Sequence, residues 1–239
     1  MSKVTKAMIL AAGFGTRLRP LTDTAPKPLI PYNGKPMIET AISRLKAAGI
    51  NEFVINAHHH AEQMEEYFQH RKGTEKITLI KEHEILGTGG ALLNARELLE
   101  STENFFLYNA DVDTDAKLLE MAEYHLQRKA LITLALKKRD TSRYILADPE
   151  MNVIGRTEGD NEVLYRNGVV SQKFGFCGIH LISSAIFRLL KGSGNFDIIP
   201  EYMRLISEGS VICGYDIGSE NWKDLGKLSS LNFQDTDIK

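Results

Sequence analysis

The sequence contains only two cysteines, Cys177 and Cys213, among 239 residues. Two cysteines are too few for a disulfide framework, and both lie in apolar segments, so we expect reduced core thiols in a cytoplasmic protein. No apolar run approaches the ~18 residues of a membrane-spanning helix, and the N-terminus lacks the apolar stretch of a signal peptide. The net charge of −2 argues against nucleic acid or an anionic membrane as a partner.

The sequence also lacks internal repeats, low-complexity stretches and a linker. We therefore expect one domain over residues 1–239, a length that a single α/β core commonly reaches. Charged residues make up 25% and apolar residues 43%, which is an ordinary balance for a globular protein.

The first 136 residues alternate between short apolar runs and segments with helical spacing of apolar residues. Such alternation predicts an α/β fold: a Rossmann-like, doubly wound, mainly parallel mixed sheet with helices on both faces. The predicted strands are Ala7–Ala12, Phe53–Asn56, Ile77–Ile80, Phe105–Tyr108 and Leu131–Leu136. The first predicted helix begins at Pro36. The next three cover Glu62–Phe68, Gly90–Leu99 and Ala116–Arg128.

The pattern changes after Lys138. Tyr144–Ala147 and Val153–Arg156 are separated by a turn and predict a hairpin, whereas the polar residues 158–168 predict a loop. The remaining predicted elements are a strand at Phe174–Leu181, helices at Ser183–Leu190 and Asp197–Ser207, a strand at Val211–Tyr215 and a short helix at Lys227–Phe233.

The first predicted strand runs directly into a loop that combines glycines, cations and prolines. Gly13 and Gly15 carry no Cβ, so phosphate groups could approach the backbone amides closely. The cations Arg17, Arg19 and Lys27 could balance several negative charges, although for Arg19 we favour a surface position. Pro20, Pro26 and Pro28 disfavour a helix here. The loop follows a strand of a parallel sheet, where open α/β sheets bind ligands.

This segment, Leu10-Ala-Ala-Gly13-Phe-Gly15-Thr-Arg17-Leu-Arg-Pro20-Leu-Thr followed by Pro26-Lys-Pro28, resembles the opening motif of the sugar-1-phosphate nucleotidyltransferases. A dinucleotide-binding fingerprint is a poorer match, since Leu18 stands where its third glycine would be. The resemblance implies the nucleotide-diphospho-sugar transferase fold. It also implies that Arg17 and Lys27 are catalytic, with Arg17 on the triphosphate and Lys27 near the α-phosphate. The implied nucleotide-binding residues are Leu10, Ala11, Ala12, Gly13, Gly15, Thr16 and Arg17.

Two acidic segments lie where strands are predicted to end. Asp111 follows Phe105–Tyr108, and Asp224 lies in Trp222-Lys-Asp-Leu-Gly226, just beyond the last predicted strand. Carboxylates suit Mg²⁺, which commonly binds one or two of them and keeps several waters. The resembled family's matching aspartates hold the catalytic metal, which implies that Asp111 and Asp224 bind Mg²⁺, with Mn²⁺ as an alternative. Without a ligand, the same residues would be a helix N-terminal acid and a turn former.

A second glycine cluster, Leu86-Gly87-Thr88-Gly89-Gly90, resembles the family's turn against the nucleobase, which implies that Gly87, Thr88 and Gly89 bind the nucleotide. The simpler interpretation is the start of a helix with no ligand. The sugar side matches less well, and the residues assigned to the sugar phosphate are Asn109, Arg143, Arg156 and Gly178. Arg156 stands near the position of a lysine found in larger relatives, and an exposed hairpin arginine is the alternative.

The expected activity is transfer of a nucleotidyl group from a nucleoside triphosphate (NTP) to a sugar 1-phosphate. The chain resembles the short family members, such as N-acetylmuramate-1-phosphate uridylyltransferases and mannose-1-phosphate guanylyltransferases. Two alternatives stay open: a cytidylyltransferase acting on phosphocholine or a similar phospho-alcohol, and an inactive NTP-sensing relative. His58, His59 and His60 are adjacent and cannot all bind one ion, so we assign them to the surface or a hinge. The oligomeric state and the base are left open.

Overall fold

The computed structural model of the protein describes residues 4–231. Its first half alternates strands and helices, as the apolar pattern predicts. In chain order the elements are β1 Lys6–Leu10, β2 Pro31–Tyr32, β3 Lys35–Pro36, α1 Met37–Ala47, β4 Glu52–Ala57, α2 Ala61–His70, β5 Lys76–Lys81, α3 Gly87–Asn94, α4 Arg96–Leu99 and β6 Asn104–Asn109.

The second half contains more strands than helices. Its elements are β7 Val112–Thr114, α5 Leu118–Arg128, β8 Ile132–Lys137, β9 Tyr144–Ala147, β10 Val153–Glu158, β11 Asn161–Leu164, β12 Gln172–Ser183, α6 Ile198–Ser207, β13 Ile212–Asp216 and β14 Trp222–Asp224.

Ten of these strands form one mixed sheet within residues 4–231. Strands β6, β1, β4 and β5 are neighbours in that order and are all parallel. The long strand β12 is antiparallel to β6, β8 and β9. Following the pairings across the sheet, β10 and β12 run against the other eight strands. The sheet is therefore mainly parallel in direction, as predicted.

Helices cover both faces of this sheet. Ala7 and Ile9 of β1 pack in the cluster that contains the apolar residues of α1, α2 and α5. Met8, which lies between them and points to the other face, packs with α3, α4 and α6. A strand buried on both faces must be apolar at every position, which explains the continuous apolar runs in the sequence. The doubly wound arrangement is confirmed.

The chain order in the sheet places a crevice beside β1. The chain passes from β1 to β4 and β5 on one side, and then returns to place β6 on the other side of β1. The helices that follow β1 and β6, α1 and α5, pack on one face of the sheet, whereas α3 and α4, which lead from β5 to β6, pack on the other face. Open α/β sheets bind ligands where the strand order reverses in this way.

Several element boundaries differ from the predictions. The segment predicted as one helix over 90–99 starts at Gly87 and is two helices, α3 and α4, with a break at Ala95. The predicted loop at 158–168 contains β11, an edge strand whose polar residues face solvent on a sheet margin. The helix predicted at 183–190 is a 3₁₀ turn. The helix predicted at 227–233 is a 3₁₀ turn at Leu228–Ser230, and its last two residues lie outside the described part.

Both cysteines are buried and free. Burial raises the pKa of the Cys177 thiol to about 12, so this side chain stays protonated and unreactive at neutral pH. This agrees with the prediction of core thiols. Within the described residues, none of the helices has both the length and the apolar character needed to cross a bilayer.

Two histidines are buried in the core and neutral. His180 of β12 is 2% exposed, and its Nδ1 lies 3.0 Å from the hydroxyl of Tyr202 on α6. His125 of α5 is 1% exposed and lies between Thr133 Oγ1 at 2.8 Å and Asn104 Oδ1 at 3.1 Å. Burial lowers the pKa of His180 to about 3 and that of His125 to about 4. Both rings bind protons far more readily in the unfolded chain.

We predict that the free energy of unfolding falls as the pH drops below about 6.5. In that range the unfolded state takes up a proton at each histidine and the native state does not, which costs about 1.4 kcal/mol per pH unit per site. Urea unfolding at pH 7.5, 6.0 and 5.0 measures the slope. His180→Gln keeps a polar partner for Tyr202 and should reduce the slope by about 1.4 kcal/mol per pH unit, the contribution of one proton. An unchanged slope would contradict a neutral His180.

Candidate functional site

A cleft of about 230 Å³ opens at the carboxyl edge of the parallel strands. Each of the four parallel strands supplies residues at or just after its end. The lining residues are Leu10, Ala11, Ala12, Gly13, Lys27, Pro28, Asn56, Glu82, Ile85, Gly87, Thr88, Asn109, Ala110, Asp111 and Asp197. The structure thus brings together the opening loop, the second glycine cluster and the first acidic segment.

The opening loop consists of three consecutive 3₁₀ turns, at Thr16–Leu18, Leu21–Asp23 and Lys27–Leu29. Gly15 has a φ of 65°, and a Cβ there would lie 2.8 Å from Thr22 Cγ2, so the loop itself requires this glycine. Gly13 differs, because a Cβ on it would meet nothing within 4 Å. The fold does not require glycine at position 13, although that residue lines the cleft.

The two acidic segments are joined by a small ribbon. Strand β7, which follows Asp111, pairs with β14, which ends at Asp224, and the amide of Leu225 donates to the carbonyl of Asp111 at 2.8 Å. The sequence predicts that Asp224 lies beyond the last strand. It lies within β14 instead, because this extra ribbon extends the chain after β13. Residues that are far apart in sequence are thereby fixed at one edge.

Each carboxylate has a cation from the opening loop beside it. The Lys27 ammonium hydrogen-bonds to Asp111 Oδ2, and both side chains are largely buried. Arg17 Nη1 lies 3.4 Å from Asp224 Oδ2, with its guanidinium about half exposed. The predicted catalytic and metal-binding residues therefore form a single cluster of two acids and two bases.

Gly226 marks the point where the two carboxylates converge. A Cβ on this residue would lie 2.8 Å from Asp224 Oδ1 and 3.0 Å from Asp111 Oδ2. Oxygen ligands of this kind suit a hard divalent ion that completes its shell with water and substrate phosphates. Among residues 4–231, no group of three or more His, Cys, Asp or Glu side chains could hold a metal. The residues fit a two-carboxylate magnesium site.

The floor of the cleft carries a buried polar pair that the motifs did not identify. Asn56 Oδ1 accepts from the Ala11 amide at 2.8 Å, and Asn56 Nδ2 donates to Glu82 Oε1 at 2.8 Å. Glu82 Oε2 accepts from the Leu86 amide at 3.2 Å. Glu82 is only 6% exposed. Both residues follow or end parallel strands, so the rule that located the opening loop could also have located them.

The second glycine cluster opens α3, and its members have different neighbours. Gly87 has a φ of 67° and lines the cleft together with Thr88. Gly89 does not line the cleft, because the ring of Phe196 occupies the space where its Cβ would be. Packing against Phe196 therefore explains the glycine at position 89, and its contact with a base stays a prediction. Gly87 and Thr88 keep that assignment.

The residues assigned to the sugar phosphate divide into two groups. Asn109 lines the cleft, and Gly178 lies beside it at a bulge in β12, where a Cβ would be 2.9 Å from Asn109 Nδ2. Arg156 is bound to Glu158 at 2.6 Å and does not line the cleft. Arg143 is exposed in the turn before β9 and is also outside the cleft. The structure favours the hairpin-arginine alternative for Arg156, since Glu158 already balances its charge.

Several side chains hold the site in place without lining it. Trp222 Nε1 donates to the Cys177 carbonyl at 2.8 Å, and the Arg139 guanidinium lies 4.3 Å from the centre of the indole ring system. His59 Nε2 lies 3.2 Å from the Thr22 carbonyl, so the histidine segment contacts the opening loop. Asp113 is bound by Arg44 at 3.0 Å and points away from the acid pair, toward α1. These contacts are structural.

Comparison with known proteins supports the fold and the opening motif. Residues 6–238 match the family described as nucleotidyl transferase. Mannose-1-phosphate guanylyltransferase 1 of Arabidopsis thaliana is 42% identical over 139 residues, which cover 56% of this chain and 38% of that protein. Probable mannose-1-phosphate guanylyltransferase 1 of Oryza sativa subsp. japonica is 34% identical over 189 residues, which cover 76% of this chain and 50% of the rice protein. The chain spans half or less of the length of these two curated relatives.

A putative glucose-1-phosphate thymidylyltransferase from Bacillus anthracis has a similar structure, with a TM-score of 0.78 and 21% identity over 95% of this chain and 92% of its own. At this identity the likeness establishes the fold. The protein is thus an α/β protein of the nucleotidyltransferase type, with its cleft at the carboxyl edge of the sheet. The match over residues 6–238 shows that the chain belongs to the nucleotidyl transferase family.

Gly13, which lines the cleft, and Gly89, which packs against Phe196, give a matched test of ligand contact. We predict that Gly13→Ala leaves the melting temperature unchanged and weakens NTP binding about tenfold or more, because the methyl group would keep phosphates from the amides. Gly89→Ala should instead cost about 1–3 kcal/mol of stability through overpacking against Phe196, with NTP affinity nearly unchanged. Calorimetry and thermal melts on both variants measure this. Normal NTP affinity in Gly13→Ala would place the phosphates elsewhere.

Proposed function

We propose that the protein transfers a nucleotidyl group from an NTP to a sugar 1-phosphate, giving an NDP-sugar and pyrophosphate. The observation that supports this most directly is the cluster of Asp111 and Asp224 with Lys27 and Arg17 beside the cleft. Two acids can hold a divalent ion and two bases can bind phosphates, and transfer at an anionic phosphorus needs both. The family and the names of the relatives point to the same chemistry.

In the proposed reaction, a phosphate oxygen of the sugar 1-phosphate forms a bond to the α-phosphorus of the NTP, and the bond from that phosphorus to the β-phosphate oxygen breaks. No enzyme nucleophile is needed. Mg²⁺, or Mn²⁺ in its place, held by Asp111 and Asp224 would supply charge neutralisation on the phosphate oxygens.

The two cations of the opening loop have separate roles in this proposal. Arg17 presents a planar fork to the departing pyrophosphate, and its half-exposed position suits a long triphosphate. Lys27 supplies a point charge near the α-phosphate, next to Asp111. The loop therefore positions the reacting groups and neutralises their charge, which we propose as the main source of catalysis.

We propose GTP and mannose 1-phosphate as the substrates. Support comes from the names of the relatives, which are mannose-1-phosphate guanylyltransferases. Further support comes from Glu82 in the floor of the cleft. Its carboxylate can only accept hydrogen bonds, and guanine carries a ring N–H and an amino group that donate on one edge. Asn56 holds this carboxylate and leaves some of its acceptor positions free.

A substrate matrix tests the proposal. Pyrophosphate release is measured with each of GTP, UTP, CTP, dTTP and ATP against a panel of sugar 1-phosphates and phosphocholine, in the presence of Mg²⁺. We expect the highest kcat/KM with GTP and mannose 1-phosphate. Turnover of CTP with phosphocholine alone would support a cytidylyltransferase, and no release with any pair would support an inactive relative.

The acid pair gives a second test. We predict that Asp111→Asn and Asp224→Asn each lower kcat at least about a hundredfold while the protein stays folded, because each carboxylate would hold the divalent ion that neutralises the phosphate charge. Asp115→Asn is the matched control, since Asp115 lies on the same segment but its carboxylate accepts from Asn221 Nδ2 at 2.7 Å and does not line the cleft. Near-normal turnover in either of the first two variants would remove that residue from the metal site.

A further inference from the structure

Asp197 lines the cleft without a protein partner in the described part of the chain. It occupies the N-cap position of α6, yet its side chain makes no capping hydrogen bond. The Thr88 hydroxyl accepts from the Ile198 amide instead, at 2.9 Å. N-cap aspartates usually accept from the first turn of their own helix, whereas this exposed carboxylate is open to water and to a donor on a ligand in the cleft.

The backbone around Asp197 is held rigidly against the second glycine cluster. The Gly89 amide donates to the Phe196 carbonyl at 2.9 Å, and the Phe196 amide donates to the Leu86 carbonyl at 3.0 Å. The Phe196 ring fills the space beside both Gly89 and Gly192, where neither residue has a Cβ. These contacts hold the backbone at residue 197 in a fixed position beside the cleft, whereas a residue on a mobile loop would not be held there.

The charge of Asp197 limits what it can bind. A carboxylate repels phosphate groups, and the described cations of the cleft cluster, Lys27 and Arg17, lie with Asp111 and Asp224. Asp197 does not join the acid pair, since no group of three potential metal ligands occurs within residues 4–231. Asp197 is therefore suited to bind an uncharged part of a substrate that carries hydrogen-bond donors. Two carboxylate oxygens can accept from two neighbouring hydroxyl groups.

We propose that Asp197 determines substrate specificity by accepting hydrogen bonds from sugar hydroxyl groups. This inference rests on the proposed function, which supplies two sources of such hydroxyls: the ribose of the NTP and the sugar ring of the 1-phosphate. A ligand seated in the cleft would remove water from this exposed carboxylate, so an analogue that lacks the hydroxyl group would leave the acceptor unpaired and bind more weakly.

The experiment compares the parent protein with Asp197→Asn in the presence of Mg²⁺. Calorimetry measures the affinities of GTP, 2′-deoxy-GTP, 3′-deoxy-GTP, mannose 1-phosphate and its 2-deoxy analogue, and steady-state kinetics measures KM and kcat for the same ligands. Glu97→Gln is the matched control, because Glu97 is an exposed acid in the first turn of α4, away from the cleft lining.

We expect Asp197→Asn to weaken one substrate about tenfold or more, with kcat changed less than threefold and an unchanged melting temperature. The parent should discriminate against the analogue that lacks the bound hydroxyl, and the variant should lose that discrimination. A loss for GTP assigns Asp197 to the ribose, and a loss for mannose 1-phosphate assigns it to the sugar. Affinities for all five ligands within twofold of the parent would overturn the inference.

The same measurements separate this inference from the proposed function. Binding is measured without turnover, so a protein that binds these ligands and releases no pyrophosphate contradicts the proposed function and leaves the Asp197 comparison decisive. If the parent binds none of the ligands, both proposals fail. Normal turnover with no effect at Asp197 contradicts only the inference.

Discussion

The parallel pairing of β1 with β6 is the contact on which the site depends. Leu10 lies opposite Asn109 in this register, and the Ala110 amide donates to the Leu10 carbonyl at 3.1 Å. This pairing sets the residues that follow β1 next to those that follow β6. The opening glycine loop and Asp111 are therefore neighbours although about a hundred residues separate them in sequence. A shift of β6 by one residue relative to β1 would turn the side chains of the shifted strand to the opposite faces of the sheet.

The sequence predicts the parallel half of the fold well and the later strands less well. Strands such as β4 and β6 are buried on both faces, so their central residues, Phe53–Ile55 and Phe105–Tyr108, are all apolar and the run is easy to identify. Strand β11 has exposed or partly exposed residues throughout and pairs on one side only, so its sequence resembles a loop. The division of one predicted helix into α3 and α4 at Ala95 has no evident signal, since alanine favours a helix.

The candidate site was predictable where a long motif covers it. The motifs identified Gly13, Lys27, Asp111 and Asp224, which the structure brings to one edge. They did not identify Asn56, Glu82 or Asp197, which line the cleft because they lie at the ends of two strands and at the start of a helix. Gly89 shows a different difficulty. A glycine required by a neighbouring ring and one that leaves room for a ligand are identical in sequence, and only the contacts distinguish them.

The ribbon of β7 and β14 has a consequence for the order in which the protein acquires its parts. Asp224 ends β14, and Asp111 directly precedes β7, which pairs with β14 across more than a hundred residues. Gly226 lies where the two carboxylates meet. Contacts between such distant segments form slowly, because the chain loses entropy on closing the long loop before it gains the energy of the contacts. During synthesis the parallel strands can pair while the acid pair is still incomplete. The two carboxylates can therefore meet only after β14 has been synthesised and has docked on β7.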